Sequence, residues 1–280
     1  MVKSFKNYFR FLRVKDWRAY FLIALFGFLF SKGFLFPFKD IIIFWAIVLL
    51  LLAFGFSVND VFDTKEDKYH LEKENLLVSQ KISFSKGLAF SIFLGISGLA
   101  LSAFFGLRIF LFCLAAFLLG FFYSAPPIRF KGRPFLDLIS HGLFAGALIF
   151  FFPVLVFNKK LDFFHYLIGF SFFYLSAMAE LRNHLEDYGT DKKAGLKTVV
   201  AVLKYQISKG LLDFLAIFFP LILFPVFLSI SLKYLFLFLI LTAIFLFFFL
   251  FRKNYKSLKN YRIMDIYVIF SFGLLLIAAP

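Results

Sequence analysis

Two short acidic segments carry the residues in this chain best suited to chemistry. Of its 16 Asp and Glu residues, ten lie within 58–86 or 180–209. Asp60, Asp63, Glu66, Asp67, Glu72 and Glu74 belong to the first; Glu180, Glu186, Asp187 and Asp191 belong to the second. If a helix runs through each segment, Asp60, Asp63 and Asp67 recur at i, i+3 and i+7. Glu180, His184, Asp187 and Asp191 recur at i, i+4, i+7 and i+11, so each set shares one face. Carboxylates crowded on a face repel one another, and a hard divalent cation relieves the repulsion. Mg²⁺ takes oxygen ligands in octahedral geometry, typically one or two carboxylates plus the phosphates of a substrate. Two facing strips therefore suit Mg²⁺ ions that clamp a diphosphate and neutralise its charge as it departs. A solvated acidic loop paired with Lys65, Lys68, Lys192 and Lys193 explains one such strip as well; it explains two poorly.

These strips must be held by something, and composition says what. The chain has 280 residues, 62% of them hydrophobic, and 50 are Phe. Soluble domains are roughly half apolar, and here the apolar residues form long runs with no water-facing alternation. A bilayer core about 30 Å thick needs roughly 20 such residues per helix. The runs predict an all-α integral membrane protein in a single domain, 1–280, with spans at 19–36, 40–57, 87–106, 108–123, 135–156, 162–180, 210–230, 233–251 and 264–279. The N-terminal segment, rich in Lys and Arg before its first apolar run, lacks a small-residue cleavage pattern and reads as leading into a retained first helix.

Nine spans put the N-terminus and the second, fourth, sixth and eighth connections on one side, and 25 of the 31 Lys and Arg fall there. The opposite side keeps Lys32, Lys39, Arg108, Lys159, Lys160 and Lys233. By the positive-inside rule the basic side, with both acidic connections, is cytoplasmic. The net charge of +15 is thus topological and forms no stripe for nucleic acid. A single cysteine, Cys113, excludes disulfides and cysteine-based metal sites. The two long acidic connections lie three helices apart, which hints at a pseudo-repeat.

The acidic segments resemble the signatures of the UbiA superfamily of intramembrane prenyltransferases. Asn59, Asp60, Asp63 and Asp67 fill every defined position of its N-D-x-x-D-x-x-x-D signature. Asp187, Asp191, Gly195 and Thr198 match the second signature, where His184 stands in place of the usual first acid. Tyr123-Ser124-Ala125-Pro126-Pro127-Ile128-Arg129-Phe130-Lys131, then Pro134 and Asp137, is similar to a third family segment, and Asn75 to Ser83 to a fourth. The resemblance implies a ring of helices around a central cavity capped by cytoplasmic loops. It further implies Mg²⁺-dependent transfer of a prenyl group from a prenyl diphosphate, through an allylic carbocation, to a lipophilic or aromatic acceptor. Asn59, Asp60, Asp63, Asp67, Asp187 and Asp191 would hold the metal, with Asp63, Asp187 and Lys131 central to catalysis. Arg129 and Lys131 would grip diphosphate oxygens, helped by Arg13, and Tyr123 would offer a ring face to the cation. For His184 three roles stand: metal ligand as neutral imidazole, phosphate contact as imidazolium, or replacement by Glu180.

Two rivals belong to other classes. A cation transporter would need polar groups along a path near the bilayer midplane, whereas the helix centres read as offering only Ser, Thr, Gly and Pro. A non-catalytic lipid-binding relative is opposed by the intact first signature. Asp213 and Asp265, the remaining acids beside the membrane, are expected to snorkel and pair with Lys209 or Arg262. The acceptor and the donor's chain length are not legible in the residues.

Overall fold

The protein is described from a computed structural model covering residues 2–70, 74–158, 160–251 and 258–278; Glu72 and Lys159 lie outside the described residues. Fourteen α-helices follow in order: α1 (Val2–Phe11), α2 (Arg18–Phe30), α3 (Phe38–Phe62), α4 (Thr64–Asp67), α5 (Phe84–Ser102), α6 (Leu107–Ser124), α7 (Leu136–Gly142), α8 (Leu148–Pro153), α9 (Phe163–Glu186), α10 (Tyr188–Ala194), α11 (Val199–Leu203), α12 (Tyr205–Leu228), α13 (Leu232–Leu250) and α14 (Arg262–Ala278). A π-helical turn at Leu143–Ala147 fuses α7 and α8 into one run, Leu136–Phe157. No β-strand occurs among the described residues.

Every predicted span overlaps a helix, and six helices are long and apolar enough to cross a membrane: α3, α5 with its 3₁₀ extension, α6, the fused α7–α8, α12 and α13. The other three predicted spans meet shorter or more polar helices. α2 ends at Phe30, six residues before its predicted limit, because Lys32 takes a left-handed backbone (φ 52°) and Pro37 follows. α9 instead runs six residues past its predicted end, to Glu186. Its polar extension leaves the membrane pattern but keeps the helix.

Aromatic packing joins the helices, which accounts for part of the Phe excess. Phe26 of α2 packs against Phe150, Phe172 and Phe272, joining α2 to α8, α9 and α14. Other rings, such as Phe236, Phe247 and Phe270, are exposed, as side chains that meet lipid tails would be. Where helices approach most closely there is no room for a side chain. A Cβ at Gly146 would meet the Phe172 carbonyl oxygen and come within 2.7 Å of Ser176 Cβ on α9.

The helix ends bearing the acids share one local design. α3 stops at Phe62, Asp63 caps it (φ −89°, ψ 11°), and α4 begins at Thr64. α9 stops at Glu186, Asp187 caps it (φ −91°, ψ 2°), and α10 begins at Tyr188. In both, the backbone of the aspartate four residues on closes back: Asp67 N–H on Asp63 C=O and Asp191 N–H on Asp187 C=O, each 2.9 Å. The assumed unbroken helices are therefore helices with one hinge each, and the hinge preserves the shared face.

The basic segments converge on the same end of the bundle. Arg10 of α1 pairs with Glu74, Arg129 with Glu66 at 2.8 Å, and Thr190 meets His70 at 3.0 Å. Tyr261 donates to Asp213 at 2.5 Å. Asp213 pairs with Lys209 at 3.0 Å as expected, but Asp265 takes Arg182 at 3.3 Å and not Arg262, because α9 extends far enough to bring Arg182 across.

Gly146→Val is expected to cost about 1–3 kcal/mol through overpacking against α9. Gly55→Ala, at a position with open space around it, should leave the thermal midpoint in detergent nearly unchanged. Equal midpoints for the two variants would contradict this packing.

Candidate active site

The end of α3 turns its carboxylates inward. Asp60, Asp63, Glu66 and Asp67 are all buried, an expensive placement for charge unless each group is paired. Each has a partner from a distant segment. Arg13 donates to Asp60 at 2.8 Å while its other side holds Asp16 at 2.7 Å. Lys131 pairs with Asp63, and Arg129 reaches Glu66 at 2.8 Å and Asp63 at 3.6 Å. The carboxylates of the first strip are met by Arg13, Arg129 and Lys131, whereas the solvated-loop alternative had offered Lys65, Lys68, Lys192 and Lys193.

Asn75 serves as a clasp. Its Nδ2 donates to the Asp60 carbonyl and to Asp67 Oδ2, both at 2.8 Å, and its Oδ1 accepts from the Leu77 N–H at 2.8 Å. One buried amide thus fixes the returning loop to the acidic turn.

Two of the cations sit on strained backbone. Arg13 (φ 53°) and Arg129 (φ 43°) are left-handed, which costs a non-glycine residue about 1–2 kcal/mol. Such strain persists where surroundings over-determine it; here the buried ion pairs do so. Burial works against the charge on Lys131, yet Asp63 outweighs it and the ammonium pKa is raised. The same balance, with Asp60 as main partner, raises Arg13.

The second strip faces the first. α4 packs against α10, and His70 Nε2 lies 3.5 Å from Asp187 Oδ1. Asp187 stays at the rim, whereas Asp191 is buried, and burial pushes its carboxyl up to about 6 against the pull of Lys131 and His184. A cavity of about 770 Å³ opens between the strips, within the usual range for small-molecule sites. Arg13, Asn59, Asp67 and Lys131 line it from the first side, Asp187 and Asp191 from the second. Further in, the walls become apolar, with Val48, Leu52, Phe112 and Phe152.

Between the acidic rim and the apolar chamber lies a polar layer. Tyr123 donates to Glu180 Oε1, and Asn183 Nδ2 donates to Glu180 Oε2 at 3.0 Å. His184 lies between Glu180 (3.2 Å) and Asp137 (3.7 Å). His141 Nε2 is 3.5 Å from Glu180 Oε2 and 3.4 Å from the Tyr20 hydroxyl. This placement, between two acids, is that of a counter-ion, a role outside the three read from sequence.

The donor set fits a hard divalent cation. It is made of carboxylate and amide oxygens, and Glu66 Oε2 is buried without a hydrogen-bond partner in the described structure. Among the described residues no three ligating groups converge into a ready-made cage.

Every residue named from sequence as binding metal or substrate is in or beside this one cavity, Asp60, Asp63 and Arg129 through their ion pairs. Sequence reasoning missed Glu66, His70, Asn75, Tyr20 and His141 as site residues. For His141 the signal was available: an ionisable side chain within an apolar span is a functional candidate by default, and the reading that helix interiors hold only Ser, Thr, Gly and Pro passed over it.

Comparison with known proteins supports one family. The model of the UbiA prenyltransferase family matches residues 20–272. Digeranylgeranylglyceryl phosphate synthase of Saccharolobus solfataricus is 29% identical over 240 residues, 83% of this chain and 81% of that one. Lycopene elongase/hydratase of Haloarcula japonica is 36% identical over 96 residues, 33% of this chain and 31% of that one. The structure of a UbiA homolog from Archaeoglobus fulgidus bound to GPP and Mg²⁺ superposes with a TM-score of 0.73 at 24% identity, covering 96% of this chain and 99% of that one. That likeness establishes the fold.

The pKa of Asp191 gives a pH test. Its folded value near 6 exceeds the ordinary 3.8, so the metal-free fold binds the proton more tightly than the unfolded chain. This contribution to stability is full below pH 4 and lost as pH rises through 6. Thermal midpoints of metal-free Asp191→Asn should therefore lack a decline that the parent shows between pH 4 and 6. Parallel profiles would refute the burial argument.

Proposed function

The chain belongs to the UbiA prenyltransferase family, and from that premise we propose that it moves a prenyl group from a prenyl diphosphate to a hydroxyl-bearing lipid within the membrane. In this reading Asn59, Asp60, Asp63, Asp67, Asp187 and Asp191 hold Mg²⁺, and Arg13, Arg129 and Lys131 hold the diphosphate. The observation that carries it is the pair of matched hinges, at Asp63 and Asp187, beside one cavity whose carboxylates are neutralised by cations suited to phosphate.

Bound Mg²⁺ would supply charge neutralisation to the departing diphosphate. The chain's own residues do the rest. Arg129 and Lys131 exchange their carboxylate partners for diphosphate oxygens, which positions the donor with its tail in the apolar chamber. The chamber walls exclude water from the allylic cation. Tyr123 and Phe144, with ring centroids 5.1 Å apart, lie on the cavity wall where ring faces can stabilise a cation.

The acceptor class follows the relative that spans most of the chain, whose name specifies a glyceryl phosphate lipid carrying two geranylgeranyl groups. A carotenoid acceptor, suggested by the shorter match, is the competing outcome. The acidic end is assigned to the cytoplasmic side on the distribution of Lys and Arg.

The test is transfer by purified protein in detergent from labelled geranylgeranyl diphosphate to geranylgeranylglyceryl phosphate or to lycopene, with and without Mg²⁺. Transfer to the glyceryl phosphate only with Mg²⁺ is expected. Asp187→Ala, at the exposed rim, should abolish turnover with an unchanged thermal midpoint. Asp63→Ala should abolish turnover and also lower the midpoint, because it removes the partner of buried Lys131. Full activity in either variant would overturn the metal assignment.

A further inference from the structure

The polar layer below the acidic strips is more than a diphosphate site requires, and its hydrogen bonds fix the state of one histidine. His141 Nδ1 lies 3.1 Å from the Ser176 carbonyl oxygen, which can only accept. It also lies 3.0 Å from Ser176 Oγ, whose own proton goes to the His141 carbonyl at 3.2 Å. Nδ1 must therefore carry the hydrogen, and in neutral His141 the lone pair sits on Nε2. That lone pair faces the Tyr20 hydroxyl at 3.4 Å and Glu180 Oε2 at 3.5 Å. An ionised Glu180, already accepting from Tyr123 and Asn183, offers no proton to it. Two acceptors, Nε2 and Glu180 Oε2, thus face each other at 3.5 Å, a mismatch that one added proton turns into a charge-assisted hydrogen bond. His141, Tyr20 and Glu180 all line the cavity that the acidic strips open on.

We propose that His141 Nε2 is the base that receives the proton lost by the attacking hydroxyl of the acceptor, with Glu180 stabilising the imidazolium that forms. The proposal rests on the prenyl transfer reading and adds to it a residue and a step. The acceptor oxygen donates an electron pair to the allylic carbon left by diphosphate, and a C–O bond forms. The O–H bond breaks, its electrons stay on oxygen, and the proton passes to Nε2. Product release and proton loss to water restore neutral His141. Tyr20, holding Nε2 before the acceptor arrives, is the group the hydroxyl displaces. Ser176 orients the ring as a positioning residue. The charged and titratable groups facing His141 are Tyr20 of α2, Tyr123 of α6, Glu180 and His184 of α9, Asp137 on its own helix, and Lys131 above.

The experiment has a structural and a kinetic arm. In detergent-solubilised protein labelled with ¹⁵N-histidine, the His141 ring, assigned by its loss in His141→Gln, should show a protonated Nδ1 and an unprotonated Nε2 at pH 8. In the kinetic arm, transfer from geranylgeranyl diphosphate to geranylgeranylglyceryl phosphate should fall by about 10²–10⁴-fold in His141→Gln. Mg²⁺-dependent binding of geranylgeranyl thiodiphosphate should stay within about threefold, and the acid limb of the parent's rate profile should disappear. A protonated Nε2 in the neutral ring, or transfer within threefold of the parent, overturns the proposal. So does parallel loss of analogue binding, which would mark a purely structural histidine. If the parent neither binds the analogue nor transfers, the prenyl transfer reading fails, whatever tautomer the ring shows.

Discussion

Neutralising buried carboxylates at the membrane edge is the constraint from which the rest of this structure follows. Asp60, Asp63, Glu66 and Asp67 lie close in sequence and are all buried, and no arrangement of their own helix could satisfy them. Each draws a partner from another segment: Arg13 from before α2, Lys131 and Arg129 from the loop after α6, Asn75 from the returning first loop. Breaking a buried pair typically costs 3–5 kcal/mol, against about 0–1 kcal/mol for a surface pair. The capping end is thus held by its charges, whereas the membrane part is held by aromatic and glycine packing.

Under the proposed function the same pairs prepare the site for its diphosphate. A cation already paired to a carboxylate is largely withdrawn from water, so a phosphate that takes over the pairing does not have to desolvate it again. The left-handed backbone of Arg13 and Arg129 belongs to this arrangement: local strain is accepted where the pairing requires it. The repeated design at Asp63 and Asp187, with matching hinge angles and the same 2.9 Å closing bond, gives structural support to the pseudo-repeat that the spacing of the acidic connections suggested.

Legibility in the sequence divides along physical lines. Apolar runs and helical spacing are local properties, so the helices and both acidic strips could be read from the chain, as could the part of the cavity lining that the strips supply. Hinges were not legible, because a one-residue break at Asp63 or Asp187 leaves the i, i+4 pattern intact. The partners of the acids were also hidden: Arg182 takes Asp265 and Arg13 takes Asp60, since tertiary packing decides which long side chain arrives. Asn75 and His141 illustrate two different failures. Nothing local marks an amide that clasps a loop, but an imidazole in an apolar helix was visible and was undervalued.

The chamber's width is set by what two helices lack. Gly55 of α3 and Gly120 of α6 both line it, one with nothing within 4 Å of a would-be Cβ and the other with only a Phe54 ring carbon at 3.9 Å. Both have room for a larger side chain, unlike Gly146, which is pressed against its neighbour. The bore is therefore tunable without disturbing the frame, and in the proposed reading a single substitution at either position would act as a stop for the donor's tail. Under the proposed function, donor length becomes a matter of where a helix omits a methyl group.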